Sequence, residues 1–248
     1  VIDPQDFDVL IPRFGRKMKY ASKIVEHFSK NMGVYSTGSS EGIAISFDKM
    51  LTAQKLEQAG IRVPHTILVK KPKEVDFLLE KIGGLPCLMK IVTGGLGKGV
   101  QILETYSAAK SNMETIAYRF KSSILLQKLI VQDSKTITDM RLWVVGGKVI
   151  ATTVRSHNDG DFQSDFAFSQ TERNIKITAE ERKMAIKVAK ILKLDICGVD
   201  IMRDKDGVPY VLEVSANPSL SGITSESEVD ISSKILDFIE KKVAKIKK

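Results

Sequence analysis

Apolar and polar positions along the chain alternate between two periods. Short, mostly apolar runs at Thr66 to Val69, Pro86 to Val92, Val100 to Leu103 and Ile124 to Gln127 predict strands. Helical spacing is expected over Lys73 to Lys81 and Ser107 to Arg119, and earlier from Asp48 to Ala59, capped by Ser46 or Asp48 and closed by Gly60. In the second half, Met140 to Val145 and Lys148 to Val154 flank Gly146-Gly147, a hairpin signal. Thr178 and Glu181 form a capping box ahead of a helix with Met184, Ala185, Val188, Ala189 and Leu192 on its apolar face. A second hairpin, Ile196 to Met202 with Tyr210 to Ser215, turns at Asp204-Lys205-Asp206-Gly207. The last helix buries Ile231, Ile235, Phe238, Ile239 and Val243. Strands alternating with helices define a mixed α/β chain, and the polar stretch Lys128 to Lys135 marks where two lobes meet.

Composition agrees with a folded chain. The 248 residues are 43% apolar and 27% charged, which excludes disorder and fits one large domain or two joined lobes. No apolar run approaches the roughly 18 residues of a membrane helix. The start VIDPQDFDVL has no signal-peptide pattern and opens on Val, so the chain is expected to begin inside a longer gene product. Cys87 and Cys197 stand alone in strand-like segments, too few for a disulfide framework or a zinc set, which fits a reduced, cytoplasmic protein. The net charge of +8 is compatible with a nucleic acid, an acidic partner or a polyanionic small molecule. Part of it sits in the tail at Lys241, Lys242, Lys245, Lys247 and Lys248. His27, His65 and His157 show no Ser/His/Asp spacing.

Two features carry chemistry. The stretch Lys90 to Val100 holds Gly94, Gly95, Gly97 and Gly99 between two expected strands. Glycines let backbone amides turn toward a phosphate, and strand–loop–strand hairpins cover phosphates in several nucleotide-binding folds. An ordinary glycine-rich turn is the plainer alternative, but a tight turn needs fewer glycines. The other feature is a pair of carboxylates. A four-residue loop from Lys205 to Val208 sets Arg203 opposite Tyr210 and Asp200 opposite Glu213. Opposed like charges destabilise a hairpin, a penalty that a bound cation reverses. Oxygen ligands without His or Cys point to Mg²⁺ or Mn²⁺. Otherwise one carboxylate pairs with a lysine or arginine while the other faces solvent.

In order, these residues resemble the ATP-grasp superfamily, and more narrowly its RimK-type ligases. The resemblance covers nearly the whole chain: Asp8 to Gly15, Asp48-Lys49, the Lys90 strand with its glycine loop, and Asp139-Met-Arg141 through Gly146. It continues over Arg155, Gly160-Asp161-Phe162, Gly198-Val-Asp200 and Glu213 to Pro218. It implies an ATP-grasp fold, two α+β lobes clamping ATP. A truncated remnant of the preceding domain would span 1–42, the small lobe 43–128 and the large lobe 129–248. It further implies that Lys49 and Lys90 reach the nucleotide phosphates and that adenine lies along Gln127, Lys128, Leu129 and Ile130. Asp139 would sit near the ribose or the adjacent lobe contact, and Gln163, Ser164 and Asp165 would fall at the nucleotide. Arg141 and Arg155 would act at the phosphate end, with Arg155 stabilising charge on the reacting carbonyl. Metal ions would be held by Asp200, Glu213 and Asn217. The implied reaction joins an amino acid such as glutamate to a peptide, protein or small carboxylate through an acylphosphate, with ATP and Mg²⁺ or Mn²⁺. No membrane or nucleic-acid partner is implied, and the reading leaves room for a homo-oligomer.

The chain departs from that pattern at four places. Lys128 replaces a glutamate, Gln163-Ser164-Asp165 replaces Arg-Ser-Asn, and Phe166 to Gln170 replaces a His-Arg-Gly-Gly stretch. Ser215 stands where a metal asparagine is usual, with Asn217 two residues on, and Pro218-Ser219 replaces Pro-Gly. These departures carry the alternative: a nucleotide-binding relative with lost or altered catalysis, acting as a regulatory or interaction subunit.

Overall fold

The structure is a computed structural model that describes residues 3, 6–14, 18–70, 72, 74–92, 100–119, 123–132, 136–158, 176–220 and 229–247. The glycine loop at Gly94, Gly95, Gly97 and Gly99 and the segment with Gln163, Ser164 and Asp165 lie outside the described residues.

The chain opens with β1 (Val9–Leu10), α1 (Met18–Glu26) and β2 (Tyr35–Ser36), the two short strands pairing in parallel. Two helices follow, α2 (Ser40–Phe47) and α3 (Lys49–Gln58). Asp48 caps α3 by accepting from the Met50 and Leu51 backbone N–H groups. Helices α1 and α2 were not expected from the sequence. In α2 a Ser/Glu/Gly start interrupts the apolar pattern, and Ser40, Gly42 and Ile43 are all buried.

The smaller lobe is built from β3 (Thr66–Val69), α4 (Val75–Ile82), β4 (Cys87–Ile91), β5 (Val100–Leu103), α5 (Tyr106–Glu114) and β6 (Ile124–Lys128). Its antiparallel sheet runs in the order β3-β6-β4-β5. One face carries Val69, Cys87, Met89, Ile124 and Leu126 against the helices. Strand alternation puts Thr66, Lys90, Leu125 and Gln127 on the other face.

The larger lobe holds β7 (Thr136–Val145), β8 (Lys148–Asn158), α6 (Ala179–Leu192), β9 (Ile196–Arg203), β10 (Pro209–Ser215) and α7 (Ile231–Ile246). Its sheet runs β10-β9-β7-β8. Met140, Leu142, Val144, Val199 and Ile201 face α6 and the main core, while Trp143 and Val145 face α7 on the opposite side. The same opposite face carries Asp139 and Arg141 toward the start of β7, beyond α7. The chain crosses between sheets from Lys128 to Thr136. There Gln132 is tied to the larger lobe, donating to Thr138 O and Arg203 O and accepting from Thr138 N.

Ile43, Leu56 and Ile61 share one core with Leu142, Val199 and Val211, so α2 and α3 belong with the larger lobe. Leu10 and Phe14 pack on that core too, so the opening segment is part of the same body. The reason is local: Ser39 Oγ donates to Leu192 O at 3.2 Å, seating the start of α2 on the end of α6.

At the start of α6 the expected capping box is present. Thr178 Oγ1 accepts from Glu181 N at 3.1 Å and Glu181 Oε2 accepts from Thr178 N at 2.7 Å. The buried Glu181 also takes both forks of Arg203. Burial alone would raise the Glu181 carboxyl, but Arg203 and Thr178 hold it below its ordinary value. Thr178→Ala is expected to cost about 1 kcal/mol, read as a lower urea midpoint at unchanged slope.

Candidate active site between the two sheets

Two single-residue bulges place the charged side chains. In the β9–β10 hairpin Arg203 stands opposite Pro209, not Tyr210 as expected. Val211 pairs with Ile201, the register then shifts, and Glu213 stands opposite Asp200. Leu212 is the extra residue. In the β7–β8 hairpin Val144 pairs with Val149 but Trp143 pairs with Ala151, which leaves Ile150 over and sets Arg155 opposite Asp139. Without these bulges Arg155 and Glu213 would turn to the other face of the sheet.

On this face the charges interlock across three strands. Arg141 Nε and Nη2 donate to Asp200 Oδ1 and Oδ2, both at 2.7 Å, a bidentate fork. Arg155 Nη2 donates to Asp200 Oδ2 at 2.8 Å, and Arg155 also donates to Asp139 through Nε at 3.0 Å and through Nη2. Asp139 and Asp200 are 5% and 4% exposed. Burial would raise the Asp200 carboxyl, yet the two guanidiniums outweigh it and hold it well below the carboxylate range. Burial likewise opposes the charge on Arg155, and Asp200 and Asp139 more than restore it. Gly198 makes room: a Cβ there would lie 3.2 Å from Arg141 Cδ and 3.3 Å from Pro218 Cβ.

A cleft opens beside edge strand β10 between α3 and the smaller sheet. Lys49, Lys90, Gln127 and Glu213 all line it. Lys49 Nζ lies 3.4 Å from Glu213 Oε1, and Glu213 is 42% exposed. The cleft therefore gathers four of the expected residues from four separate chain segments. The Asp139 carboxylate holds Arg155, and it does not line the cleft. Lys128 is exposed and gives its backbone N–H to His65 O at 2.9 Å, while Leu129 and Ile130 lie half-buried in the connection, outside the cleft walls. Strand alternation does not reach Asn217, because β10 ends at Ser215. The Asn217 amide donates instead to Phe14 O at 2.7 Å, leaving Oδ1 buried without a partner.

Sequence reasoning missed Thr66, Ser46 and Thr52 in the cleft wall. Thr66 could have been found by pairing, since it stands directly opposite Gln127. Among the described residues no three His, Cys, Asp or Glu side chains converge as a metal cluster. The cysteines are chemically quiet: burial, aided by Asp195, pushes the Cys197 thiol up to about 12. No helix of the described residues is long and apolar enough to cross a membrane.

Two sheets flank a lysine-lined cleft beside a carboxylate–arginine cluster, and solved ATP-grasp ligases share this fold. The D-alanine–D-alanine ligase of Bacillus anthracis, solved with ATP, superposes with a TM-score of 0.70 at 24% identity, over 98% of this chain and 81% of that one. The ATP-grasp ligase PsnB, solved with a phosphomimetic precursor variant, Mg and ADP, gives 0.70 at 23%, over 91% and 67%. The RimK-like ATP-grasp domain profile matches residues 46–239. A probable alpha-L-glutamate ligase from Hydrogenovibrio crunogenus is 37% identical over 235 residues, 95% of this chain and 77% of its own length. The chain thus belongs to the RimK-like ATP-grasp family and is an ATP-dependent, amide-forming ligase.

Proposed function

We propose that the protein activates a carboxylate with ATP as an acylphosphate and joins it to an amino acid, glutamate being the first candidate. The observation that carries this is the convergence of Lys49, Lys90, Gln127 and Glu213 on one cleft, with Glu213 directly opposite the Arg-bound Asp200. The glutamate ligase name of the 37% identical relative supports the choice of amino acid.

In this reading the ammonium groups of Lys49 and Lys90 meet the triphosphate. The acceptor carboxylate attacks the γ-phosphorus and ADP leaves, carrying the charge of the broken bond. The amine then attacks the acylphosphate carbonyl and phosphate departs. Arg155, fixed by two carboxylates, and Arg141, forked onto Asp200, stand outside the cleft walls, and in this reading they supply positive charge for the developing oxyanion and the phosphate end. Preset guanidiniums need no reorganisation during the reaction.

The donors also suit Mg²⁺ or Mn²⁺, which takes one or two carboxylates beside phosphates and water. Asp200 accepts three hydrogen bonds, leaving about one of a carboxylate's roughly four acceptor positions. That position, Glu213 and the unpartnered Asn217 Oδ1 are the oxygen donors that would hold the cation. When bound it supplies charge neutralisation on the phosphates. The near-saturation of Asp200 is also what favours the second reading, nucleotide binding without ligation.

Turnover of ATP to ADP and phosphate, with mixed amino acids and Mg²⁺, separates the two. Ligation predicts amino-acid-dependent turnover that falls on the order of a hundredfold or more in Glu213→Ala. Tight ATP binding with no turnover would establish the second reading.

A further inference from the structure

Asp200 and Glu213 face each other across the hairpin, yet they are held in different ways. Asp200 is 4% exposed and takes three hydrogen bonds from two guanidiniums. The Glu213 side chain is 42% exposed, and Lys49 is its one hydrogen-bonding partner among the described residues, Nζ donating to Oε1 at 3.4 Å. Such a long, partly exposed pair is weakly held and easily exchanged. Lys49 opens α3 directly after the Asp48 cap, where the helix dipole disfavours a cation and favours an anion. Lys49 and Glu213 both line the cleft, so an anion entering it meets the ammonium beside the carboxylate. A triphosphate carries several negative charges where Glu213 carries one, and it attracts the ammonium more strongly. While Lys49 stays on Glu213, a divalent cation approaching the same carboxylate is repelled by the ammonium and finds one oxygen already taken.

We propose that Lys49 is a positioning residue for Glu213 and sets the order of binding. In the nucleotide-free cleft its ammonium occupies the carboxylate. The triphosphate draws it away and leaves Glu213 to the divalent cation, so the nucleotide binds first. This rests on the nucleotide-binding reading above and adds to it a competition between an ammonium and a metal cation for one carboxylate.

The test is Mn²⁺ binding to the whole chain without nucleotide, followed by loss of the free-ion electron paramagnetic resonance signal, with ATP binding measured separately. Lys49→Met is expected to tighten Mn²⁺ binding about two- to fivefold, the worth of a partly exposed ion pair. Lys49→Arg keeps the charge and the weaker wild-type binding. Made together with Glu213→Gln, Lys49→Met is expected to change nothing, because the carboxylate it competes for is gone. Tightening that persists on the Glu213→Gln background would make Lys49 a bare charge near the site and sink the proposal. A merely structural role lowers the melting temperature and weakens Mn²⁺ binding, which contradicts it as well. Unchanged Mn²⁺ affinity in Lys49→Met also overturns it, while ATP binding by wild type spares the nucleotide reading. Failure of wild type to bind ATP removes both.

Discussion

Asp200→Asn is expected to lower the stability of the protein by about 3–5 kcal/mol, the range for breaking a buried ion pair by removing one partner. The variant keeps the shape of the side chain but confronts Arg141 and Arg155, 21% and 16% exposed, with a neutral amide that cannot balance either. Adding Arg141→Met to Asp200→Asn should recover part of the loss, because Arg141 loses the carboxylate it forks onto, whereas Arg155 keeps Asp139. The pH dependence follows from the depressed Asp200 carboxyl. Its contribution is complete above the unfolded value near pH 4 and drains away as pH falls toward the folded value. The gap between wild type and Asp200→Asn should therefore be widest near neutrality and narrow below about pH 4. Urea titrations across that range measure it, and a loss under about 1 kcal/mol at pH 7 would deny the network its role in stability.

Gly42→Ala is expected to be at least as damaging for a different reason. A Cβ at Gly42 would fall 1.8 Å from Leu192 O and 2.9 Å from Leu192 C, both backbone atoms that no rotamer change can clear. Helix α2 must lift from the end of α6, breaking the Ser39 contact and parting Ile43 from the core it shares with Leu192. Overpacking ordinarily costs about 1–3 kcal/mol, and a backbone collision should exceed that range. Gly38→Ala is the control: its nearest neighbour is Leu194 Cδ2 at 3.1 Å, the movable end of a side chain, so its effect should be small. Thermal melts of the two variants, with hydrogen exchange over 40–47, would separate a collision from a general loss of helix propensity.

Much of the fold was legible because most elements follow simple periodicity. The strand at Val100–Leu103, the box at Thr178 and the last helix all sit where apolar spacing and caps place them. Helix α2 was not, since its burial comes from docking on α6, a partner some 150 residues away in the chain. The candidate site was half legible. Asp200 opposite Glu213 was reached from the wrong starting pair, because an even ladder from Arg203–Tyr210 and an uneven one from Arg203–Pro209 through Leu212 end at the same partners. The sharing of Asp139 and Asp200 by Arg155 was not legible at all. It depends on the spare residue Ile150, and Ile150 reads like any other strand residue.

Those two spare residues bear on how such a site can change over evolutionary time. Substitution can retune any side chain on this face, but losing one codon at Ile150 or Leu212 would invert a strand segment, sending Arg155 or Glu213 inward and an apolar neighbour out. No single replacement reverses that inversion. The length of each hairpin arm is thus as much a part of the active centre as its arginines and carboxylates, and drift in sequence is tolerated there far more readily than drift in spacing.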